Sequence, residues 1–198
     1  MSAVLKSVEA IHIAPVKSLG LVQVNTVHIG SAGILEDRRF FLVDELGRVV
    51  TQRQMGTLVQ VKPNYRPDKG SLCLSFPDGT VVAGLVATGE PVETILWGRR
   101  VRGNLVSGDW GKVLSKFCGR TVNLVQSRQP GECYDEYPIS LLSKASVEGL
   151  NRRPEVSSHM DERRFRPNFL LDGCRPHQED GWMGRQIQLG DGLTLQVV

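Results

Sequence analysis

Hydrophobic and polar positions alternate with a period of two through most of the first half of the chain. Leu72, Leu74 and Phe76 interleave with Ser71, Cys73 and Ser75, and Pro77-Asp78-Gly79 then turns the chain into Val81-Val82-Ala83. This predicts a β-hairpin, because Gly accepts the positive φ that such a turn requires. Phe40-Phe41-Leu42-Val43 followed by Asp44-Glu45-Leu46-Gly47 and Arg48-Val49-Val50-Thr51 predicts a second hairpin. Val22-x-Val24, Val27-x-Ile29, Leu58-x-x-Val61 and Thr94-Ile95-Leu96-Trp97 read as further short strands. Many short strands with frequent turns point to a mainly antiparallel barrel over residues 1–126. Strand and helix do not alternate regularly, which disfavours a doubly wound sheet.

Two segments change period. Trp110, Val113, Leu114 and Phe117 share one helical face, with Asp109 placed to cap and Gly119 to end the helix after Cys118. Thr121–Val125 returns to strand, and the polar run Ser127–Glu132, with Pro130-Gly131 inside it, reads as a linker. A second short helix, capped by Ser143, runs through Ala145, Val147 and Leu150 to about Asn151. Arg152–Arg163 reads as a loop, followed by strands at Asn168–Leu171, Gln186–Leu189 and Leu193–Val198. The sequence stops inside that last alternating strand, which predicts a shortened version of something longer. The fold class is mainly β with a few short helices, a β-rich α+β chain, in two parts over 1–126 and 133–198.

The 198 residues, 40% hydrophobic with 21 Gly and 10 Pro and no low-complexity tract, suffice for a real core and exclude a disordered or fibrous chain. Lys and Arg exceed Asp and Glu by 24 to 21, too small and too mixed an excess to imply nucleic-acid binding. Six Phe, three Tyr and three Trp also leave few stacking platforms for bases. No apolar run approaches the roughly 20 residues of a membrane span, and Met1–Lys6 lacks the features of a secretory signal. The expected compartment is therefore the cytoplasm, with no membrane and no nucleic-acid partner. Cys73, Cys118, Cys133 and Cys174 form no Cys-x-x-Cys pair and read as reduced thiols. His12, His28, His159 and His177 lack ligand-like spacing, so no metal site is assigned.

No P-loop, dinucleotide fingerprint or hydrolase elbow is present. What remains is a set of basic residues beside turns: Pro15-Val16-Lys17-Ser18-Leu19-Gly20, Asp37-Arg38-Arg39-Phe40, Thr51-Gln52-Arg53-Gln54 and Arg164-Phe165-Arg166-Pro167-Asn168. Guanidinium forks match phosphate oxygens in pairs and Lys supplies a point charge, so converging clusters would hold a small polyanion. The competing reading pairs each cluster locally with Asp37, Asp161 or Glu162 as solvated charge. The Lys17-Ser18 loop, framed by Pro15 and Gly20, is the cluster least like ordinary surface.

Ile13-Ala14-Pro15-Val16-Lys17-Ser18, Asp37-Arg38-Arg39-Phe40-Phe41-Leu42-Val43-Asp44 and Gly47-Arg48-x-Val50-Thr51-Gln52-Arg53-Gln54 resemble the N-terminal β-barrel domain of MOSC proteins, relatives of the molybdenum-cofactor sulfurase C-terminal domain. Pro138-x-Ser140-Leu141-Leu142-Ser143-x-Ala145-Ser146-Val147-x-x-Leu150-Asn151 resembles the opening of the MOSC domain itself. Arg164-Phe165-Arg166-Pro167-Asn168, Asp172-Gly173, Glu179-Asp180-x-Trp182 and Leu189-Gly190 continue the resemblance in order. It implies an N-terminal MOSC β-barrel followed by a partial MOSC barrel, with a molybdenum cofactor (molybdopterin) held in a cleft by Lys17, Ser18, Arg38, Arg166 and Asn168. Relatives of the amidoxime-reducing type imply an oxidoreductase that reduces small N-hydroxylated or N-oxygenated substrates, served by an electron-transfer partner protein. The alternative is a non-catalytic cofactor-binding or sulfur-carrier module. Pyridoxal phosphate is associated with some sulfurase partners, but a Lys17 Schiff base is a less simple reading than a Lys17 phosphate contact. The family's metal-coordinating Cys lies beyond the last strand of this sequence. The resemblance therefore implies that the chain as given is inactive, leaves the catalytic residues unassigned and gives Cys174 no metal role.

Overall fold

The computed structural model describes residues 7–190 and 192–198. Met1–Lys6 and Asp191 lie outside the described residues, and with them the start of the predicted barrel. Among the described residues the chain is mainly β-strand with two short α-helices, Trp110–Cys118 and Lys144–Asn151. By contact it divides into two compact units, Ile13–Pro138 and a smaller one joining the N-terminal residues to His12 with Ile139–Val198. The first strand therefore groups with the C-terminal part, and residues 127–138 group with the larger unit.

In the larger unit, five strands pair in the order Ala87–Leu96, Arg99–Ser107, Asn123–Ser127, Phe40–Val43, Val49–Val50. Phe40–Val43 is buried along its whole length, as a strand covered on both faces must be. A second sheet, Lys62–Arg66, Ser71–Ser75 and Val81–Leu85, is antiparallel throughout and contains the predicted hairpin. The main core joins Val16, Leu19, Phe40, Leu42, Leu58, Leu72, Leu74, Trp110, Leu114 and Leu124. The predicted helix begins at Trp110, but Asp109 is helical in backbone and its carboxylate makes no capping hydrogen bond; its carbonyl accepts from Val113 N at 2.9 Å. Gly119, at φ 63°, ends the helix as expected.

Two further local expectations are overturned. Leu58-x-x-Val61 is not a strand; Gly56–Gln60 is a 3-10 turn, whose three-residue period puts Leu58 and Val61 on one buried side, whereas a strand would point them to opposite faces. Ser127 is not linker but the buried end of a strand, its amide donating to Arg39 O at 3.0 Å. Arg99–Ser107 is a strand that the pattern conceals, because Arg100 and Arg102 flank Val101 and only the inward positions are apolar.

In the smaller unit, Leu141–Ser143 runs parallel to Phe169–Asp172, which is antiparallel to Ser7–Ile13. Ser143 caps the following helix, its side chain accepting from Ser146 N at 3.0 Å. Gln186–Leu189 and Leu193–Gln196 form a two-stranded hairpin. All four cysteines are free thiols.

Candidate functional site

The Lys17 loop is fixed before any ligand is considered. Val16 bridges Phe40, Lys17 N donates to Phe40 O at 2.7 Å, and Phe40 N donates to Pro15 O at 2.9 Å. Gly20 N donates to Val61 O at 2.8 Å, and a Cβ at Gly20 would meet Val61 O at 2.9 Å, so only glycine lets the loop close there. The loop is thus clamped between the Phe40 strand and the Val61 turn, and Lys17 is only 3% exposed.

Inside this frame the charges converge. Lys17 Nζ donates to Asp135 Oδ1 at 2.9 Å and to Cys133 O at 3.0 Å. Arg38, buried and at φ 49°, sets Nη2 3.9 Å from the other oxygen of Asp135 and pairs through Nη1 with Asp37. Asp37 also accepts from Ala14 N at 2.6 Å, which makes it part of the frame. Ser18 is buried beside Lys17 in the left-handed region, φ 72°. Burial drives the Lys17 pKa below its ordinary value even though Asp135 opposes the shift. At Asp135 burial works to raise the pKa, but Lys17, Arg38 and Trp97 outweigh it and hold the carboxyl below its usual range. The same ion pair thus leaves Lys17 worse off and Asp135 better off than in water, because Asp135 keeps half its side chain in solvent.

The predicted residues of the smaller unit behave differently. Arg166 ends a 3-10 turn, Glu162–Phe165, that Asp161 caps by accepting from Arg163 N at 2.8 Å. It sits at φ 54° and is half-buried. Asn168 is buried, and its side chain joins segments of its own unit: Nδ2 donates to His12 O at 3.2 Å and Oδ1 accepts from Ser140 N at 3.1 Å. That geometry pins the strand Phe169–Asp172 to its neighbours.

The family model described as "MOSC N-terminal beta barrel domain" matches residues 5–121, and that described as "MOSC domain" matches residues 128–198. The chain belongs to the MOSC family. Among curated relatives, "Mitochondrial amidoxime-reducing component 1" of Mus musculus is 26% identical over 209 residues, covering 93% of this MOSC chain and 60% of the relative. "Mitochondrial amidoxime reducing component 2" of Homo sapiens is 28% identical over 206 residues, covering 89% and 59%. "Molybdenum cofactor sulfurase" of Anopheles gambiae is 27% identical over 212 residues, covering 89% and 27%. The MOSC chain thus spans about 60% of the amidoxime-reducing relatives and about a quarter of the sulfurase.

Around the Lys17 cluster of this MOSC chain lie residues that sequence reasoning missed. Trp97 and Gly98 form the two-residue loop between the strands Ala87–Leu96 and Arg99–Ser107, both at positive φ, 51° and 78°. Such loops favour Asn-Gly, so Trp at the first position is strained. Its indole donates from Nε1 to Asp135 Oδ1 at 3.0 Å, and Arg53 stacks over its ring at 4.4 Å. Arg99 donates to the carbonyls of Tyr134 and Asp135 at 2.6 and 2.7 Å and stacks on the Tyr134 ring at 4.1 Å. Of the remaining predicted cations, Arg39 is committed to Ser127. The one available signal was Trp-Gly in a hairpin position, where the residue choice contradicts the turn. Cys133 is fully buried, and burial pushes its thiol up to about 12, so it is a neutral, unreactive side chain.

Proposed function

We propose that this MOSC chain binds the phosphate end of a molybdenum cofactor at Lys17, Ser18 and Arg38, as part of an oxidoreductase for small N-hydroxylated or N-oxygenated compounds. The carrying observation is the buried Lys17 ammonium, which costs stability by its burial and has a half-exposed carboxylate as its counter-ion. The donor set fits the group: an ammonium, a guanidinium and a hydroxyl on a rigid loop suit phosphate oxygens. When bound, such a cofactor supplies two-electron redox chemistry at its metal. This chain's own residues bind and orient its phosphate: Lys17 as a point charge, Arg38 as a fork steadied by Asp37, and Ser18 as a neutral donor. Arg166 stands as a further anion contact on its own unit. Asn168 would act chiefly by holding the Phe169 strand, given its hydrogen bonds. Electrons would come from a partner protein.

Support for this reading comes from the relatives' names, two of them amidoxime-reducing and one a molybdenum cofactor sulfurase. Since the sulfurase carries this region as about a quarter of its length, a cofactor-holding or sulfur-carrier module without turnover is the second reading. No helix among the described residues is long and apolar enough to cross a membrane. Free thiols suit the cytoplasm, whereas the reducing relatives are named as mitochondrial. The test is purification from a host that makes the cofactor, with molybdenum and pterin measured in the protein and turnover assayed on an N-hydroxylated substrate. Bound pterin that disappears in Lys17→Met is expected, with turnover separating the first reading from the second. Equal pterin content in wild type and Lys17→Met, or none in either, would overturn the assignment.

A further inference from the structure

Around Lys17 the cations are buried and one anion is half exposed. Lys17 is 3% exposed on a loop clamped at both ends, and Arg38 is held by buried Asp37. Asp135 has 49% of its side chain exposed and lies outside any helix or strand. A carboxylate half in water is rehydrated on leaving its partners, which offsets part of what it loses there. A buried ammonium left alone loses a great deal, so Lys17 keeps Asp135 until another anion arrives.

We propose that Asp135 is a tethered substitute for the ligand's phosphate: it neutralises Lys17 and Arg38 in the free protein and is displaced when a phosphate group binds. This rests on the phosphate reading of the site and adds the exchange to it. The local charge explains why an exchange is needed. Lys17 and Arg38 are matched one for one by Asp37 and Asp135, so a phosphate entering with Asp135 in place meets no net charge from these four groups, beyond the field of Arg53 and Arg99 nearby. With Asp135 swung into water it meets one net positive charge. Asp37 stays, because its oxygens hold Ala14 N and Arg38.

The tethers keep the displaced carboxylate nearby. Arg99 grips the backbone carbonyls of Tyr134 and Asp135, not the carboxylate, so the side chain can rotate while the segment stays docked. Trp97 Nε1 holds the same Oδ1 that Lys17 uses, and is the contact that reports the exchange. Its strained turn position is accounted for by this role, since Asn would relax the turn but remove the indole donor.

The experiment titrates inorganic phosphate into the full chain and follows the Trp97 indole N–H by NMR, assigned by its absence in Trp97→Asn, with affinity from calorimetry. Expected are a phosphate-dependent shift of the Trp97 indole and loss of that shift in Lys17→Met. Asp135→Asn should bind phosphate about tenfold tighter or more, one negative charge having been removed within about 4 Å of the ligand. Should Asp135→Asn fail to fold, Trp97→Asn decides, because it relaxes the turn and loosens the tether; tighter phosphate binding is expected there too. Lys17-dependent binding that leaves the indole unmoved, with no variant tighter than wild type, would overturn the exchange and leave the phosphate site standing. No phosphate binding by wild type or any variant would overturn both.

Discussion

Replacing Lys17 by Met separates what the side chain does for the fold from what it does for a ligand. Met keeps an unbranched stem of similar length in the same packed loop and removes the charge. Lost are the hydrogen bond to Cys133 O and the pair with Asp135. The first is worth about 1–3 kcal/mol including the carbonyl left unpaired. The second is worth about 1 kcal/mol, because Asp135 is half in water and retains Trp97 Nε1. Regained is the desolvation cost of a buried ammonium, several kcal/mol in proteins. The depressed Lys17 pKa gives the sign of the charge contribution: burial outweighs the attraction of Asp135, so the charged form is less favourable in the fold than in the unfolded chain. Lys17→Met should therefore leave unfolding free energy within about 1 kcal/mol of wild type, or raise it.

The pH dependence follows with a definite sign. Between the lowered folded pKa and the ordinary 10.5, the unfolded chain holds a proton on Lys17 that the folded chain has released. Wild-type stability therefore gains relative to Lys17→Met as pH rises through that window. Cys133 acts oppositely, its raised pKa lowering stability between pH 9.0 and about 12, and because the Lys17 charge helps set that pKa both proteins are compared in a Cys133→Ala background. Urea unfolding at a series of pH values measures both effects. A loss of more than about 3 kcal/mol at neutral pH, with no relative gain at higher pH, would show Lys17 to be a structural strut and refute the reasoning.

Four further outcomes are expected. Cys133, buried and with its thiol pushed to about 12, should be the slowest of the four cysteines to react with a maleimide at pH 8, as read by mass spectrometry of digests. Gly20→Ala should cost about 1–3 kcal/mol in urea unfolding, since the added Cβ meets two backbone carbonyls, Val61 O at 2.9 Å and Val59 O at 3.0 Å. Asp161→Ala should cost about 1 kcal/mol and speed hydrogen exchange at Arg163–Arg166, because Asp161 caps that turn. In wild type the same contribution should fade as pH falls from 3.8 through about 2, the folded pKa of Asp161. Ser18→Gly, which relieves φ 72°, should raise Tm by a few degrees while weakening phosphate binding.

Much of the fold was legible because local pattern and tertiary role agree: the Ser71–Ser75 hairpin alternates, and the Trp110 helix presents Trp110 and Leu114 to one core. Where they part, the reading failed for physical reasons. Leu58 and Val61 lie three apart, the period of a 3-10 turn and not of a strand, and Arg99–Ser107 carries its apolar face among arginines. The cations of the site could be read, since Lys17 sits between Pro15 and Gly20. Its anion could not, because Asp135 follows a polar run taken for linker, 118 residues away, and only the folded chain brings it to Lys17 Nζ.

Among the described residues, five that are not glycine adopt the left-handed backbone: Ser18, Arg38, Trp97, Arg166 and His177. Each such residue costs on the order of 1 kcal/mol, a cost a chain sheds easily by substitution to Gly or Asn. Three of the five surround Asp135: Trp97 and Arg38 approach its oxygens, and Ser18 adjoins the Lys17 that holds it. The buried ammonium adds desolvation cost at the same spot. Backbone strain and desolvation favour a relaxed or apolar replacement at each of these positions, and what such a replacement loses is contacts around Asp135. An anion that binds only the folded chain would oppose that preference. It stabilises by an amount growing with its concentration over its dissociation constant, and about 2.7 kcal/mol at a hundredfold excess would offset two strained residues. On the phosphate reading proposed for this site, strain and desolvation concentrated around Asp135 are offset by the ligand that binds there.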